Sequence, residues 1–305
     1  MIRLRTERGQ ALILMILFLG VLMALAAAVL DVGAWYRADR KLQATADASA
    51  LAGAHGLPDH QAQAMGLALE YGDKNEGGVA SGGVSFETTV QPGDTIRVHA
   101  QKPVPGFFSH VFGINSVDVG ATAKARTSPM SSAKWAAPVA VDEQHPMLHC
   151  TPMESCFGPT NPTTLDFLKT GPGAFRLINI DRSFGGTGSQ DVADWIINGL
   201  DSYMPLDWYF SDSGMKPSSA NIRHAFDVRM GDVLLFPVYR STRAQGSNFE
   251  YQVVGWVGFH LTGYDIHGSQ DSKLFGYFTE IIWEGIQTES STDPDFGARS
   301  ISLID

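Results

Sequence analysis

Four side chains able to bind a metal or form a bridge fall within twelve residues: His145, His149, Cys150 and Cys156 in HPMLHCTPMESC. Imidazole and thiolate together suit Zn²⁺, but H-x3-H-C-x5-C is not one of the usual finger or ribbon spacings. On the outer side of a membrane, two cysteines this close in a proline-rich stretch predict a small disulfide loop, Cys150–Cys156. A zinc centre and free or partner-directed thiols are the competing readings. No metal and no cofactor is assigned on the sequence.

The other candidates are weaker. Gly185-Gly186-Thr187-Gly188-Ser189 precedes a helical pattern and could seat an anion. It lacks the Lys-Ser/Thr of a P-loop and the spacing of a dinucleotide fingerprint, so a turn with Ser189 as N-cap explains it. Asp295-Phe296-Gly297 has no kinase context, and no G-x-S-x-G occurs. His260 is a lone strand histidine. Trp256, Phe259, Phe275, Tyr277, Phe278 and Trp283 read as core or sheet-face packing rather than a carbohydrate platform. No catalytic residue is assigned, and the expectation is a protein that is not an enzyme. A membrane-tethered hydrolase or ligand-binding domain is the alternative, and it would need converging titratable groups in a pocket.

All of this chemistry would be carried by an anchored chain. Gly9 to Leu30, GQALILMILFLGVLMALAAAVL, holds no charge. As a helix it would be about 33 Å long, enough for a hydrocarbon core of roughly 30 Å. Gly9 and Gln10 open the span; Leu30 and Asp31 close it. Trp35 and Tyr36 follow at headgroup depth. Arg3, Arg5 and Arg8 precede it against Glu7 alone, which predicts a cytoplasmic N-terminus and an extracytoplasmic C-terminal domain on the inner or cytoplasmic membrane. A cleaved signal peptide with Ala24-Leu25-Ala26 as its A-x-A site is the alternative; the run is longer than a usual h-region.

Charge is uneven. Residues 1–129 carry eleven basic and eleven acidic residues, whereas residues 130–305 carry eleven basic and twenty-one acidic. Such a surface is a poor partner for nucleic acid.

The pattern along the chain predicts an α+β protein: a single N-terminal transmembrane helix extended as a long rod, a small α/β unit, then a β-rich sandwich or partly open barrel-like domain. Residues 1–57 form the anchor and rod. Ala46, Ala50 and Gly53 recur at helical spacing, with Leu42 and Ser49, as a small-residue stripe for close packing within the chain or against another copy. Residues 58–129 form a helix-β-β-α-β unit. It opens at Pro58-Asp59, has a hairpin Val84–Val90/Thr95–Ala100 about the Gln91–Asp94 turn, a short helix Phe107–Gly113 laid on the hairpin, and a strand Ser116–Ala125. Residues 130–286 form the extracytoplasmic domain. Its strands are Trp135–Val141, Phe175–Ile180, Asp232–Thr242, Tyr251–Ile266 and Leu274–Glu284, the last three as an antiparallel meander. Residues 287–305 read as a loosely held polar tail.

The N-terminal segment closely resembles the anchor module of the Tad (tight adherence) Flp-pilus-assembly TadE/TadG-like proteins. The matching features are Arg8-Gly9 before the apolar run, Asp31-Val32-Gly33 at its exit, Tyr36, Leu42-Gln43, and Ala46-Asp47-Ala48-Ser49-Ala50-Leu51-Ala52-Gly53-Ala54. A weaker resemblance, carried by Phe107-Phe108 and Ala121–Ala125, reaches about residue 127. The resemblance implies a pilus-assembly or secretion component whose partners are the membrane, other such components and a second copy of itself through the N-terminal helix. Processed members of the system are cut after a glycine that has glutamate five residues on. Here that position is Leu14, which implies an uncleaved accessory component.

Overall fold

The computed structural model describes residues 8–150, 156–166, 177–184, 187–211, 219–245, 248–267 and 272–304. The chain is α+β. A long apolar helix comes first and the strands form curled, half-barrel sheets. It divides into two compact units, Met1–Arg126 with Leu303–Asp305, and Thr127–Ser302.

The first unit begins with α1 (Arg8–Ala54), 47 residues long. It contains no proline, and Ala, Leu and Met fill its interior, so nothing interrupts the hydrogen-bond ladder. Its first half exposes Leu12 to Leu19 and beyond. A helix with apolar side chains bare on every face is matched to lipid. By length and composition α1 can cross a membrane, and it is the one helix among the described residues that can. Its second half is packed: Leu42, Ala46 and Ala50 are buried.

Against that half lie α2 (Gln61–Lys74) and β2 (Thr95–Pro105); β1 (Val79–Glu87) packs on α2, and β3 (Ser116–Ala133) pairs with β2 through its first eleven residues, up to Arg126. The order is β1-β2-β3, antiparallel, with Ile96 opposite Phe86 and Ala125. Burial alternates along β2: Ile96, Val98 and Ala100 are buried, Arg97 and His99 exposed. That two-residue period is what made the hairpin legible. α2 starts after the Pro58 turn, with His60 as N-cap and no side-chain cap bond.

The hairpin turn is organised by Asp94. Its carboxylate accepts the N–H groups of Thr89 (2.8 Å), Val90 (2.9 Å) and Gln91 (2.9 Å) and the Thr95 hydroxyl (2.8 Å). Burial alone would raise its pKa. The hydrogen bonds from Gln91, Thr89, Val90 and Thr95 outweigh that and hold it below the ordinary aspartate value of 3.8. Folding therefore favours the ionised form. Its stabilisation is complete above the unfolded pKa and is lost as pH falls through the lowered folded one. Asp94→Asn is expected to cost about 1–3 kcal/mol near neutrality and to flatten the acid limb of the stability curve. Denaturation midpoints measured on both chains at neutral pH and below 3.8 check this; parallel acid limbs would refute it.

In the second unit, Ala133 and Ser132 of β3 pair with β6 (Met204–Pro205) and β12 (Gly285–Gln287). The six-stranded sheet runs β4 (Val141–Asp142), β8 (Val233–Gln245), β9 (Asn248–Asp265), β10 (Lys273–Thr279), β5 (Thr163–Asp166), with β7 (Trp208–Phe210) also on β9. The expected β8-β9-β10 meander is present, antiparallel throughout. α3 (Ser189–Asn198) and α4 (Ala220–Val228) complete the layer. Val192, Trp195 and Ile196 point inward as their spacing predicts. Trp256, Tyr209, Tyr251, Phe226, Phe236, Phe259 and Phe278 are fully buried. Phe259 stacks on Phe236 and meets Phe278 edge-on.

Several expectations are corrected. The N-cap of α3 is Gly188, and Ser189 is already helical. Trp135–Val141 is not a strand beyond Val141–Asp142, and Trp135 takes φ 58°. Of Phe175–Ile180, Leu177 and Ile178 form isolated bridges, and Phe175 lies outside the described residues. The segment Phe107–Gly113 forms a 3-10 turn, Ser109–Phe112, and does not lay its apolar side chains on the hairpin: Phe107, Val111 and Phe112 are exposed. The tail is not loose. β13 (Ala298–Ile304) pairs in parallel with β11 (Ile281–Ile282), and Arg299 is buried, bonded to Asp295 at 2.6 Å.

Candidate functional site

A well-organised polar site lies where α1 leaves its apolar half. Asp31 is buried, at 2% exposure. Its carboxylate accepts the backbone N–H of Phe107 (2.7 Å), Phe108 (3.0 Å to Oδ2) and Ser109 (2.6 Å). Three amides at the start of a 3-10 turn make a natural anion seat, and here the anion is the chain's own. The Ser109 hydroxyl donates to the Ile114 carbonyl at 2.8 Å, and Gly113 takes φ 78° to close the turn. A Cβ on Gly106 would collide with Ser109 and crowd Asp31, so the approach requires glycine.

The sequence placed Asp31 at the end of the span. Its bond to residues 107–109 was not foreseen, because the pairing bridges some seventy-six positions. Gly106 before two phenylalanines was the available signal. Gly9, Gln10 and Leu30 all lie in α1, and Arg8 opens it. Arg3 and Arg5 lie outside the described residues. Tyr36 is exposed just above, and Arg40 donates to its hydroxyl at 2.8 Å.

The stripe of Ala46, Ala50 and Gly53 faces the rest of its own unit. A Cβ on Gly53 would lie 2.5 Å from Ile96 Cδ1 and 3.0 Å from the Ala64 carbonyl. Close helix approach is thus used within the chain, on α2 and β2.

Cys150 and Cys156 sit at disulfide distance, Cα–Cα 5.6 Å. His145 is turned elsewhere: its Nδ1 accepts the Met147 N–H at 3.2 Å and its ring meets Phe278 edge-on at 5.1 Å. Among the described residues, no group of three or more His, Cys, Asp or Glu side chains is placed to hold a metal ion. Cys156 and Phe157 are buried, and the Phe157 ring meets Phe278. Closing so short a loop stabilises by less than the about 3 kcal/mol of a fifteen-residue loop. A Cys150→Ser, Cys156→Ser chain is therefore expected to fold, with a modestly lower melting temperature. Thiol counting under denaturing, non-reducing conditions checks the bridge; two free thiols in the unmutated chain would refute it.

His260 stacks on Tyr277 at 4.7 Å. Trp256, Phe259 and Phe278 are core; Phe275 is partly exposed and Trp283 packs against the core while its Nε1 donates to the Lys134 carbonyl. Asp295 bonds the Gly297 N–H at 2.8 Å and turns the chain into β13. Gly185 and Gly186 lie outside the described residues. Thr187 donates to the buried Asn179 at 3.0 Å.

No curated protein and no solved structure matches the chain. Residues 9–56, which take in nearly all of α1 and the turn after it, match the Tad family model, described as "Putative Flp pilus-assembly TadE/G-like", and this similarity supports a pilus-related role.

Proposed function

We propose that this chain is a non-enzymatic, single-pass component of a Tad/Flp-type pilus or a related surface or secretion apparatus. Its N-terminus is cytoplasmic, and it presents an acidic domain across the inner or cytoplasmic membrane for assembly or adhesion. The observation that carries the reading is the coincidence of the family match at residues 9–56 with a helix whose first half is apolar on all sides. The excess of acidic over basic residues in 130–305 suits a domain that stays soluble and off anionic surfaces. Its partners are the membrane and other pilus or secretion components.

The chain is left uncut after Gly9, because Leu14 occupies the position where processed members carry glutamate. Intact mass of the membrane-extracted chain is expected to include the residues before Gln10; a mature N-terminus at Gln10 would show that the chain is processed. C-terminal reporter fusions are expected to read extracytoplasmic, and a cytoplasmic signal would overturn the orientation. Loss of surface pili on deletion of the gene, restored by the intact chain, is the outcome the pilus role requires.

A further inference from the structure

The turn after β2 is an anomaly for a domain in water. Phe107, Val111 and Phe112 are 75%, 83% and 73% exposed, and Phe108 and Ile114 are nearly half exposed. Five large apolar side chains within eight residues form a contiguous patch of the kind that marks a binding surface. The turn is not slack. Asp31 fixes its start with bonds to three successive amides, and Ser109 fixes its end on Ile114. The backbone is satisfied inward, and the side chains are presented outward.

The same bonds set the depth of the patch. Asp31 is the first charged residue after the apolar run, and Leu30 and Val32 beside it are exposed. A carboxylate at the hydrocarbon edge is costly unless its oxygens are filled; here the turn fills them. Phe107 and Phe108 are therefore held at the level where the span ends. Above them, Arg37, Lys41 and Lys102 line a groove of about 500 Å³ with Phe107, and Glu76 is the facing acid. Lys41 pairs with Glu76 at 2.8 Å, and Lys102 donates to the Glu76 carbonyl. Arg37 lies six residues beyond Asp31, about 9 Å along a helix. The headgroup layer occupies roughly the first 5–8 Å outside the hydrocarbon core, so the Arg37 guanidinium reaches it by leaning back. Apolar below and cationic above is the profile of an interfacial membrane element.

We propose that the Phe107–Ile114 turn is a second membrane-insertion element. It enters the leaflet through which α1 emerges, with Phe107, Val111 and Phe112 among the acyl chains and Arg37 against lipid phosphate. The first unit is thereby seated on the bilayer by two points, the span and the turn. The occupant of the patch is lipid, because the patch is tied to the residue that ends the span and continues its apolar surface.

The test uses the full chain, carrying Cys150→Ser and Cys156→Ser, reconstituted in phosphatidylcholine–phosphatidylglycerol vesicles. A single cysteine is placed by Val111→Cys and labelled with an environment-sensitive fluorophore; the exposure of Val111 lets the fold tolerate it. Gly82→Cys, whose surroundings are open, is the aqueous control, and Leu14→Cys reports the span. The label at 111 is expected to be quenched by lipids carrying a shallow spin label and to be several-fold less accessible to iodide than the label at 82. Equal iodide quenching at 111 and 82 would overturn the proposal. Protection from both quenchers would also overturn it, since protein rather than lipid would then cover the patch. Quenching at Leu14 by deep spin labels decides separately whether the anchor itself is inserted.

Discussion

Gly53→Leu is expected to lower the stability of the first unit by about 3 kcal/mol, the upper range for overpacking a filled interface. The site has no slack. Ile96 is fully buried opposite Phe86 and Ala125, and its Cδ1 lies 2.5 Å from an added Cβ, so the ring of buried neighbours must shift to admit one. The Ala64 carbonyl at 3.0 Å is backbone and cannot rotate away. Gly53→Ala brings the same Cβ against Ile96 and is also expected to destabilise, by less than leucine, since it adds no further atoms and the better helix propensity of alanine offsets about 1 kcal/mol. Gly66→Leu is the control: it lies on an exposed face of α2 with open space around it. Urea titrations in detergent, followed by circular dichroism, compare the three. An equal loss at positions 53 and 66 would show that the stripe is not a packing contact.

Trp256→Ala is expected to cost about 3–5 kcal/mol in the second unit, the range for truncating a buried large aromatic. Trp256 is 1% exposed in the middle of β9, opposite Pro237 of β8. Its Nε1 donates to the Met130 carbonyl at 3.1 Å, so truncation also leaves that buried acceptor unmet. Phe275→Ala, on a partly exposed ring of β10, is expected to cost far less. Equal midpoint shifts for the two would refute the placement of Trp256 at the centre of the core.

Elements with a clean period were legible from the residues alone: α1, the β1–β2 hairpin and the β8-β9-β10 meander. The disulfide spacing was legible too, because six positions bring two cysteines within bridging reach without any tertiary knowledge. What escaped notice depended on partners remote in sequence or on buried polar groups. β13 was hidden in a polar tract whose Arg299 is buried only because Asp295 and Glu280 meet it. α4 carries a usable signal, Ser219 accepting the Ile222 N–H with Ile222, Ala225 and Phe226 inward, but the turn residues around it obscured the period. The turn after β2 shows apolar spacing, and spacing alone cannot say whether such a face meets protein or lipid. Asp31 ties that turn to the end of the apolar run, through bonds that no local pattern reveals.

The uninterrupted course of α1 has a mechanical consequence. At 47 residues it is about 70 Å long, and the part that crosses the membrane and the part buried in the first unit share one hydrogen-bond ladder. There is no linker between them to act as a swivel. A lateral force or torque on the membrane-spanning end is delivered as bending of a stiff lever, straight into the packing of Leu42, Ala46 and Ala50. A flexible tether would dissipate such a load in chain entropy; this one would transmit it.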